Sequence, residues 1–561
     1  MIAIHARRAA LVLVAAVLTA CATGPGPLPA IPEPDALRTA CPALGGQSVA
    51  SGEIGLRSGA ATVTSATLVA AAGGLPEYCQ VLAAIAPRSP GADAIRFQLN
   101  LPLQWNRKAL MYGGGGFNGV LTTGLTALRD APPGLPVPLA RGYATFGTDS
   151  GHDAAAYNNT DPARFALNDE MFENFAFASY KKVKDAAQVL AQRFYLRRPA
   201  QQYFYGGSEG GREGLMLAQR FPRDFDGIVS VVPVIHWNGL FNGFVAFTKA
   251  QYAGGVIGTA KTRTIATAVN TACDALDGIA DGVISNYLAC PARFDVRSLR
   301  CPGGADTGDS CLSDAQIATF NGAYAPTVLP FAVANGLTTY PGRLFGGEIL
   351  AGEGIDRWIS NGSVPGNPPL ATDPRGVVYG SSYARYVIAR DPAFDVRQFD
   401  ANRFAPRIGL VSELMDATDP DLGAFQRRGG KLIIRENTGD MAQSPLAGMQ
   451  YYDSVVAKMG QSAVDGFVRL YVSPASSHGG PAADLITGAP VPTSFDLLAT
   501  LDEWVTAGAA PADALVQVRN DAVAPFTTRA SRPMCRYPNY PRYVSGDRLL
   551  ASSYRCAAPA K

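Results

Sequence analysis

The chain has 561 residues, of which 47% are hydrophobic and 17% are charged. This is enough apolar material for a sizeable core, so the composition excludes a disordered or fibrous chain. The 48 basic and 46 acidic side chains nearly cancel, which gives no reason to expect nucleic acid as a partner. The 60 glycines and 41 prolines predict many turns and argue against a helical bundle.

The N-terminus has the pattern of an export signal. Arg7 and Arg8 precede an apolar run, residues 9–20, which is too short to span a bilayer because a span takes about 20 residues. The run ends in the sequence LTAC, which resembles a lipobox and predicts a lipid on Cys21. The alternative is ordinary cleavage near residue 20, with Cys21 as a bystander.

We therefore interpret residues 1–20 as a lipoprotein signal peptide and the Pro-rich residues 21–40 as an extended tether. Alanine rather than aspartate follows Cys21, which for such lipoproteins favours the outer membrane. The expected location is periplasmic or at the cell surface, with the N-terminal lipid as the contact with the membrane.

Eight cysteines remain after Cys21, and an even number in an exported chain predicts four disulfides. The pairs favoured by short loops, together with the pair that then remains, are Cys273–Cys290, Cys301–Cys311, Cys535–Cys556 and Cys41–Cys79.

Strand-like and helical runs alternate along much of the chain. Strands are predicted at 95–103, 108–112, 143–148, 202–205, 227–234, 431–435 and 467–472, and helices at 169–195, 211–221 and 494–507. This alternation predicts an α/β fold with a mostly parallel sheet. Between about 236 and 425 the pattern breaks down, so we interpret that stretch as a separate inserted domain.

The sequence GGSEG, residues 206–210, has the Gly-x-Ser-x-Gly pattern of a nucleophile elbow, with Ser208 at its centre. Its glycines allow a tight turn, and its position between a predicted strand and a predicted helix is the context that the motif requires. The alternative is a structural Gly-rich turn. We expect Ser208 to be a nucleophile.

A serine nucleophile needs a base and an acid, which follow the serine in this architecture. His236 follows Ser208 too closely to leave room for an acid strand, and His152 precedes it and is interpreted as structural. His478, in a Gly-rich loop after a strand, is therefore the predicted base. Asp440 is the predicted acid, with Glu436 and Asp416 as competitors.

Acyl transfer also needs donors for the developing oxyanion. The backbone N–H of Glu209, next to the nucleophile, is one predicted donor. The second should come from the four glycines 113–116, which follow a strand, and we favour Gly115 or Gly116. A dinucleotide site would need Gly-x-Gly-x-x-Gly leading into a helix, a spacing that this loop lacks.

Three carboxylates, Asp274, Asp277 and Asp281, lie within eight residues. Carboxylates this close repel one another unless a cation binds them, and oxygen ligands at short spacing suit calcium. The carbonyls of Ile279 and Val283 could complete the shell. The alternative is a solvated acidic turn.

Taken together, these motifs resemble the tannase and feruloyl esterase family, which also contains mono(2-hydroxyethyl) terephthalate hydrolase. The resemblance rests on segments 113–119 (GGGGFNG), 148–152 (TDSGH), 206–213 (GGSEGGRE), 221–229 (FPRDFDGIV), 273–284 (CDALDGIADGVI), 416–432 (DATDPDLGAFQRRGGKL) and 532–538 (RPMCRYP).

The resemblance implies an α/β-hydrolase with a large inserted lid domain. Residues 41–235 and 426–561 would form the two halves of the hydrolase domain, the second with a disulfide-bonded tail, and residues 236–425 the lid. It also implies a structural calcium ion in the lid, because the family's ligands match Asp274, Asp277, Ile279, Asp281 and Val283.

The sequence departs from the family at Gly207 and Gly479, where the family usually has two cysteines joined as a disulfide. It also has Glu436-Asn437 where the family tends to have His-Gly before the acid.

The expected activity is hydrolysis of carboxylic esters of aromatic acids, such as gallate, ferulate or terephthalate-like esters. Candidate residues of the acyl pocket are Tyr379, Tyr383, Arg385 and Tyr386. The alternatives are a hydrolase of aliphatic or polyester-oligomer esters, or of amides, on the same fold, and a non-catalytic surface lipoprotein that binds carbohydrate or polyphenol.

Overall fold

The computed structural model describes residues 30–157 and 159–559. The predictions for the signal peptide, for Cys21 and for residues 22–29 of the tether lie outside the described residues. The prediction of an extended tether is wrong for residues 34–40, which form a helix. Pro34 suits the first turn of a helix because its missing N–H needs no acceptor there, and Leu37 is buried in the core.

A twelve-stranded mixed sheet forms the centre of the molecule. Its strands, numbered in chain order, are β1 (Ser48–Val49), β2 (Ala61–Val69), β3 (Tyr78–Ile85), β4 (Ile95–Pro102), β5 (Lys108–Tyr112), β6 (Ala144–Thr148), β7 (Gln201–Gly207), β8 (Gly227–Val231), β9 (Lys431–Asn437), β10 (Val468–Ser473), β11 (Ala514–Asn520) and β12 (Thr528–Arg536). Their order in the sheet is β1-β2-β3-β4-β6-β5-β7-β8-β9-β10-β12-β11. Two further pairs of short strands lie outside it, Thr327–Val328 with Thr339–Tyr340 and Tyr540–Tyr543 with Tyr554–Ala557.

The expectation of a mostly parallel sheet is correct only for its centre. Strands β5 to β10 pair in parallel and are almost entirely buried, as is typical of strands covered on both faces. The first four strands and the last two pair antiparallel. The prediction missed β2 because its sequence, ATVTSATLV, is rich in Thr and Ala and only partly buried.

Fourteen α-helices are present in the described ranges. They are α1 (Pro34–Ala40), α2 (Asp169–Glu173), α3 (Ser179–Tyr195), α4 (Glu209–Arg220), α5 (Trp237–Tyr252), α6 (Thr259–Cys273), α7 (Asp314–Tyr324), α8 (Ile355–Trp358), α9 (Arg375–Ser382), α10 (Ala405–Met415), α11 (Gly423–Arg427), α12 (Pro445–Met459), α13 (Gln461–Asp465) and α14 (Leu497–Ala507). A π-helical turn, Asn174–Ala178, joins α2 to α3, and another, Tyr383–Ala389, follows α9. In the described ranges, no helix is long and apolar enough to cross a membrane.

The chain leaves the sheet after β8 and returns to it at β9, the strand beside β8. We call the intervening residues 232–430 the insertion. Its helices α5, α9 and α10 contribute to a second hydrophobic core, separate from the core around the sheet. This second core also contains Phe117, Phe165 and Phe175, which precede the insertion, so the insertion packs against the N-terminal half of the chain.

All four predicted disulfides are confirmed. The structure joins Cys41 to Cys79, Cys273 to Cys290, Cys301 to Cys311, and Cys535 to Cys556. The first bond fastens the segment after α1 to β3, and the last fastens the C-terminal strands to β12.

Candidate active site

Ser208 lies on a sharp turn between β7 and α4. Its φ and ψ are 61° and −122°, a strained conformation that a non-glycine residue rarely adopts. The turn requires glycine on both sides, because a Cβ at Gly206 would lie 2.2 Å from the carbonyl oxygen of Gly210, and one at Gly210 would lie 2.7 Å from that of Gly114. This is the geometry of a nucleophile elbow.

Three loops bring Ser208, His478 and Asp440 together at one edge of the sheet. Each loop follows a parallel strand, β7, β10 and β9 respectively. The carboxyl ends of these three strands lie at the same edge of the sheet, so the three loops meet at that edge. The Nε2 atom of His478 lies 2.8 Å from Ser208 Oγ, and its Nδ1 atom lies 2.6 Å from Asp440 Oδ2. The arrangement links a hydroxyl, an imidazole and a carboxylate in the order that nucleophilic catalysis requires.

Asp440 is fully buried and is held by its own loop. Its Oδ1 atom accepts hydrogen bonds from the backbone N–H groups of Ala442, at 2.8 Å, and Gln443, at 3.0 Å. The Oδ2 atom is thereby directed at the imidazole. The backbone of the β9–α12 connection thus orients the carboxylate that faces His478.

The two competing acids lie elsewhere. Asp416 accepts hydrogen bonds from the backbone N–H of Asn238 and the hydroxyl of Ser412. Glu436 is fully buried and accepts a hydrogen bond from Gln443 Nε2, and burial, with Asp440 nearby, raises its pKa well above the ordinary value. In the hydrogen bonds of the described residues, Glu436 contacts Gln443, whereas His478 Nδ1 faces Asp440.

The two other histidines of the described ranges are buried outside this arrangement. The His152 ring stacks on Phe165, its Nε2 lies 2.8 Å from the carbonyl oxygen of Phe117, and burial lowers its pKa to about 4. His236 lies 3.7 Å from Asp416 Oδ2, and burial lowers its pKa.

The glycine loop after β5 reaches Ser208, and its hydrogen bonds reduce the candidate donors to one glycine. The N–H of Gly114 donates to Glu213 Oε2 at 3.0 Å, and that of Gly115 donates to Asn118 Oδ1 at 2.7 Å. Among the hydrogen bonds of the described residues, the Gly116 N–H has no acceptor, and Gly116 lines the cavity that contains Ser208. Of the two predicted glycines, Gly116 is the one whose amide remains free.

Glu209 begins α4, so its backbone N–H has no acceptor within the helix. Its side chain is buried and accepts a hydrogen bond from Arg212 Nε at 2.7 Å. Burial raises the pKa of Glu209 to about 7, and the Arg212 guanidinium opposes that rise. The side chain points into the protein, whereas the amide belongs to the first turn beside Ser208.

The cavity over Ser208 is largely aromatic. Its other lining residues are Gly116, Glu209, Val234, Trp237, Leu240, Phe241, Phe244, Trp358, Tyr379, Ala442, Gln443 and His478. Seven of these thirteen residues belong to the insertion, which supplies every aromatic ring of the cavity other than the His478 imidazole. The insertion thus covers the sheet edge that carries Ser208, Asp440 and His478, which we call the candidate catalytic edge.

Of the four candidate pocket residues, only Tyr379 lines this cavity. The prediction is wrong for Tyr383, Arg385 and Tyr386, which follow one to two helical turns later. The Tyr383 hydroxyl donates to Asn238, and Arg385 donates to the carbonyl of Phe394. These side chains stabilise the insertion instead of facing the serine.

Sequence reasoning missed the main wall of the cavity, which helix α5 provides. Trp237, Leu240, Phe241 and Phe244 follow one another at helical spacing directly after β8. That apolar stripe was a readable signal. Trp358 had no comparable signal, because it reaches the site from a four-residue helix more than a hundred residues later.

The space beside Gly207 and Gly479 is filled by other side chains. A Cβ at position 207 would lie 2.4 Å from Arg129 Nη1, and one at position 479 would lie 2.6 Å from Glu353 Oε1. Glu353 also accepts a hydrogen bond from Trp358 Nε1 at 3.1 Å, and the Trp358 ring meets the His478 ring edge-on. Packing therefore surrounds both loops where the family usually has a disulfide.

The acidic segment of the insertion is buried. Asp274, Asp277 and Asp281 are 0–5% exposed. Among the described residues, Arg532 forms an ion pair with Asp281, and neither Asp274 nor Asp277 forms an ion pair with a basic side chain. Burial raises the pKa of Asp277 to about 7. Within the described ranges, no group of three or more His, Cys, Asp or Glu side chains is arranged to hold a metal ion. The carboxylate and carbonyl oxygens of this segment are nevertheless the ligand type that calcium prefers.

A serine on a strand–turn–helix elbow, with a histidine and an acid from later strands of one sheet, defines an α/β-hydrolase fold. Residues 79–557 match the family model described as tannase and feruloyl esterase, and the chain belongs to that family. It is therefore an ester hydrolase by family, which confirms the resemblance found in the sequence.

The similar proteins agree in type. The chain is 37% identical to an uncharacterised esterase of Agrobacterium fabrum, over 92% of this chain and 93% of that one. It is 32% identical to the mono(2-hydroxyethyl) terephthalate hydrolase of Piscinibacter sakaiensis, over 94% and 93%. The crystal structure of feruloyl esterase B from Aspergillus oryzae, 23% identical, has the same fold, with a TM-score of 0.73 over 93% of this chain and 100% of that chain.

Proposed function

We propose that the protein is a serine esterase that cleaves esters of aromatic acids through an acyl-enzyme on Ser208. The observation that carries the proposal is the pair of contacts at His478, 2.8 Å to Ser208 Oγ and 2.6 Å to Asp440 Oδ2. A hydroxyl becomes a useful nucleophile when a base at hydrogen-bond distance removes its proton.

In the first half of the reaction, Ser208 Oγ attacks the ester carbonyl carbon and its proton passes to His478 Nε2. The N–H groups of Glu209 and Gly116 donate to the oxyanion that forms. When the tetrahedral intermediate collapses, the C–O bond to the alcohol breaks and His478 returns the proton to the leaving oxygen. Asp440 stays ionised and stabilises the imidazolium.

In the second half, a water molecule gives its proton to His478 and attacks the acyl carbon. The bond to Ser208 Oγ then breaks, the serine regains its proton, and the acid is released. Every step uses the same base and the same two amides, which is why one preorganised site serves both halves.

The preference for an aromatic acid is supported by the cavity and by the similar proteins. Trp237, Phe241, Phe244, Trp358 and Tyr379 surround the space next to Ser208, and aromatic rings pack well against a planar acyl group. Two of the similar proteins are named for terephthalate and ferulate esters.

We also propose that calcium stabilises the insertion, with Asp274, Asp277 and Asp281 and the carbonyls of Ile279 and Val283 as its ligands. Support comes from burial, because two of these carboxylates have no basic partner among the described residues. A bound cation would supply the missing positive charge. It would act on stability and has no part in the proposed chemistry.

Export and lipidation at Cys21 are proposals that rest on the N-terminal sequence and on the four disulfides, which are typical of oxidising compartments. Expression in a lipoprotein-competent bacterium, with metabolic labelling by a radioactive fatty acid, should label the wild type and leave Cys21→Ala unlabelled. Equal labelling of both would contradict the anchor.

The activity is tested on a form of the protein that begins at residue 22, with the Ser208→Ala variant of the same form as the control. The panel is methyl gallate, methyl ferulate, a terephthalate monoester and a short aliphatic ester. We expect serine-dependent turnover of an aromatic ester, with kcat/KM above that of the aliphatic one. Turnover of the aliphatic ester alone would contradict the aromatic preference, and turnover by Ser208→Ala would contradict the mechanism.

A further inference from the structure

Glu213 lies on α4, one turn beyond the elbow, and is 1% exposed. Its carboxylate accepts three hydrogen bonds. Oε2 accepts from the backbone N–H of Gly114 at 3.0 Å, and Oε1 accepts from Asn118 Nδ2 at 2.9 Å and from the Tyr180 hydroxyl at 2.5 Å. One buried side chain of the nucleophile helix therefore binds both ends of the glycine loop.

Asn118 extends this contact to the next amide of the loop. Its Oδ1 atom accepts from the Gly115 N–H at 2.7 Å, while its amide nitrogen donates to Glu213 and to the Tyr180 hydroxyl. The fit is close, because a Cβ at Gly114 would lie 2.0 Å from Asn118 Oδ1. The amides of Gly114 and Gly115 are thus fixed by the Glu213–Asn118 pair, and the next amide, that of Gly116, has no acceptor among the described residues and lies at the cavity.

We propose that Glu213 is a positioning residue that fixes the glycine loop, through Gly114 and Asn118, so that the Gly116 N–H meets the developing oxyanion. The proposal rests on the proposed esterase function. An oxyanion donor contributes most when it is already in place before the reaction, and small displacements of such groups are costly. Glu213 touches neither substrate nor Ser208, so it acts through the loop.

The role requires a carboxylate, because both oxygens accept hydrogen bonds. Glutamine has the same shape but presents an NH2 group at one of the two positions. In one orientation the glutamine NH2 group would face the Gly114 N–H, and in the other it would face the Asn118 and Tyr180 donors. Either way, two hydrogen-bond donors would face each other without an acceptor between them. Glu213→Gln therefore disturbs the loop with little change in volume.

The test compares Glu213→Gln with Glu170→Gln. Glu170 is a matched control, since it is 6% exposed and its carboxylate accepts backbone N–H bonds from Arg88 and Ser89, which lie outside the glycine loop. For each protein we would measure kcat, KM, the thermal midpoint, and affinity for a boronic acid that forms a tetrahedral adduct with the serine.

For Glu213→Gln we expect kcat to fall about 10- to 100-fold with KM nearly unchanged, and affinity for the boronic acid to fall by a similar factor. Affinity for the product acid should not change, because the ground state does not need the oxyanion donor. Glu170→Gln should lower the thermal midpoint and leave kcat as in the wild type.

If Glu213 has only a structural role, Glu213→Gln should behave as Glu170→Gln does, with a lower thermal midpoint and an unchanged kcat. That result would overturn the proposal. If Glu213→Gln does not fold, Asn118→Gly serves instead, since glycine keeps the positive φ of 57° and removes the side chain. It should lower kcat in the same way. A wild type without serine-dependent hydrolysis would overturn the esterase function itself, whereas an active wild type with normal variants would overturn this inference alone.

Discussion

The candidate catalytic edge of the sheet and the insertion differ in how the sequence determines the positions of their side chains. At the candidate catalytic edge, short motifs at the ends of parallel strands fix Ser208, Asp440 and His478, and each motif contains the glycines or amides that its turn needs. In the insertion, the cavity wall is assembled from α5, α8 and α9, which are distant in sequence. On the proposed function, the reaction is thus encoded locally, whereas selectivity depends on how distant helices pack.

The largest expected effect comes from breaking the candidate catalytic edge at its acid. Asp440→Asn should lower kcat/KM about 10⁴-fold, because the amide cannot hold the imidazole in the required tautomer or stabilise its charge. The measurement is steady-state hydrolysis of the best aromatic ester. Glu436→Gln is the control and should leave kcat unchanged, since Glu436 contacts Gln443 and Asp440 is the carboxylate at His478 Nδ1. The reverse pattern would transfer the acid role to Glu436.

A smaller effect is expected from His152, which supports the glycine loop through the carbonyl of Phe117. Burial lowers the pKa of His152 to about 4. Between about pH 6.5 and pH 4 this histidine is therefore protonated in the unfolded state and neutral in the folded state. Its contribution to stability is therefore complete above pH 6.5 and is lost as the pH falls towards 4, by roughly 3 kcal/mol. Urea unfolding across this range should show a steeper decline for the wild type than for His152→Gln, and equal slopes would contradict the account.

In the insertion, removal of calcium should lower stability and leave the chemistry intact. Calcium at a hundredfold excess over its Kd stabilises a protein by about 2.7 kcal/mol. A chelator should therefore lower the thermal midpoint, with restoration by calcium, while Asp277→Asn should no longer respond. An unchanged midpoint after chelation, with no calcium found in the purified protein by elemental analysis, would contradict the proposed site.

The smallest expected effect is a change of selectivity in the insertion. Tyr379→Ala enlarges the cavity next to Gly116 and should change the ratio of kcat/KM between bulky and small acyl groups by about 10-fold. Tyr386→Ala is the control, since Tyr386 is buried in the insertion away from the cavity. It should lower stability without changing the ratio. An equal ratio in all three proteins would remove Tyr379 from the acyl pocket.

The sequence was sufficient to predict the elements that would carry the proposed reaction. The strands around Ser208, Asp440 and His478 combine strong apolar runs with Gly-rich ends, so their positions and their chain order could be read directly. The antiparallel strands β1, β2, β3, β11 and β12 all escaped prediction. Strand β2 is rich in Thr and Ala, and β12 carries Pro and Arg among its residues.

The choice between Gly115 and Gly116 could not be made from sequence, since all four glycines of the loop look alike. It depends on Asn118 and Glu213, whose hydrogen bonds occupy the amides of Gly115 and Gly114. The candidate pocket failed for a similar reason. Tyr379 and Tyr383 are one turn apart, and only packing against α5 decides which of them faces the serine.

The central claim is that Ser208 carries the acyl group. The most direct measurement is treatment with an aryl phosphonate ester, followed by intact-mass analysis and peptide mapping of the wild type and Ser208→Ala. We expect a single adduct on the peptide containing Ser208, full loss of esterase activity in step with its formation, and no adduct in Ser208→Ala. An adduct on another residue, or esterase activity that survives complete modification of Ser208, would contradict the account.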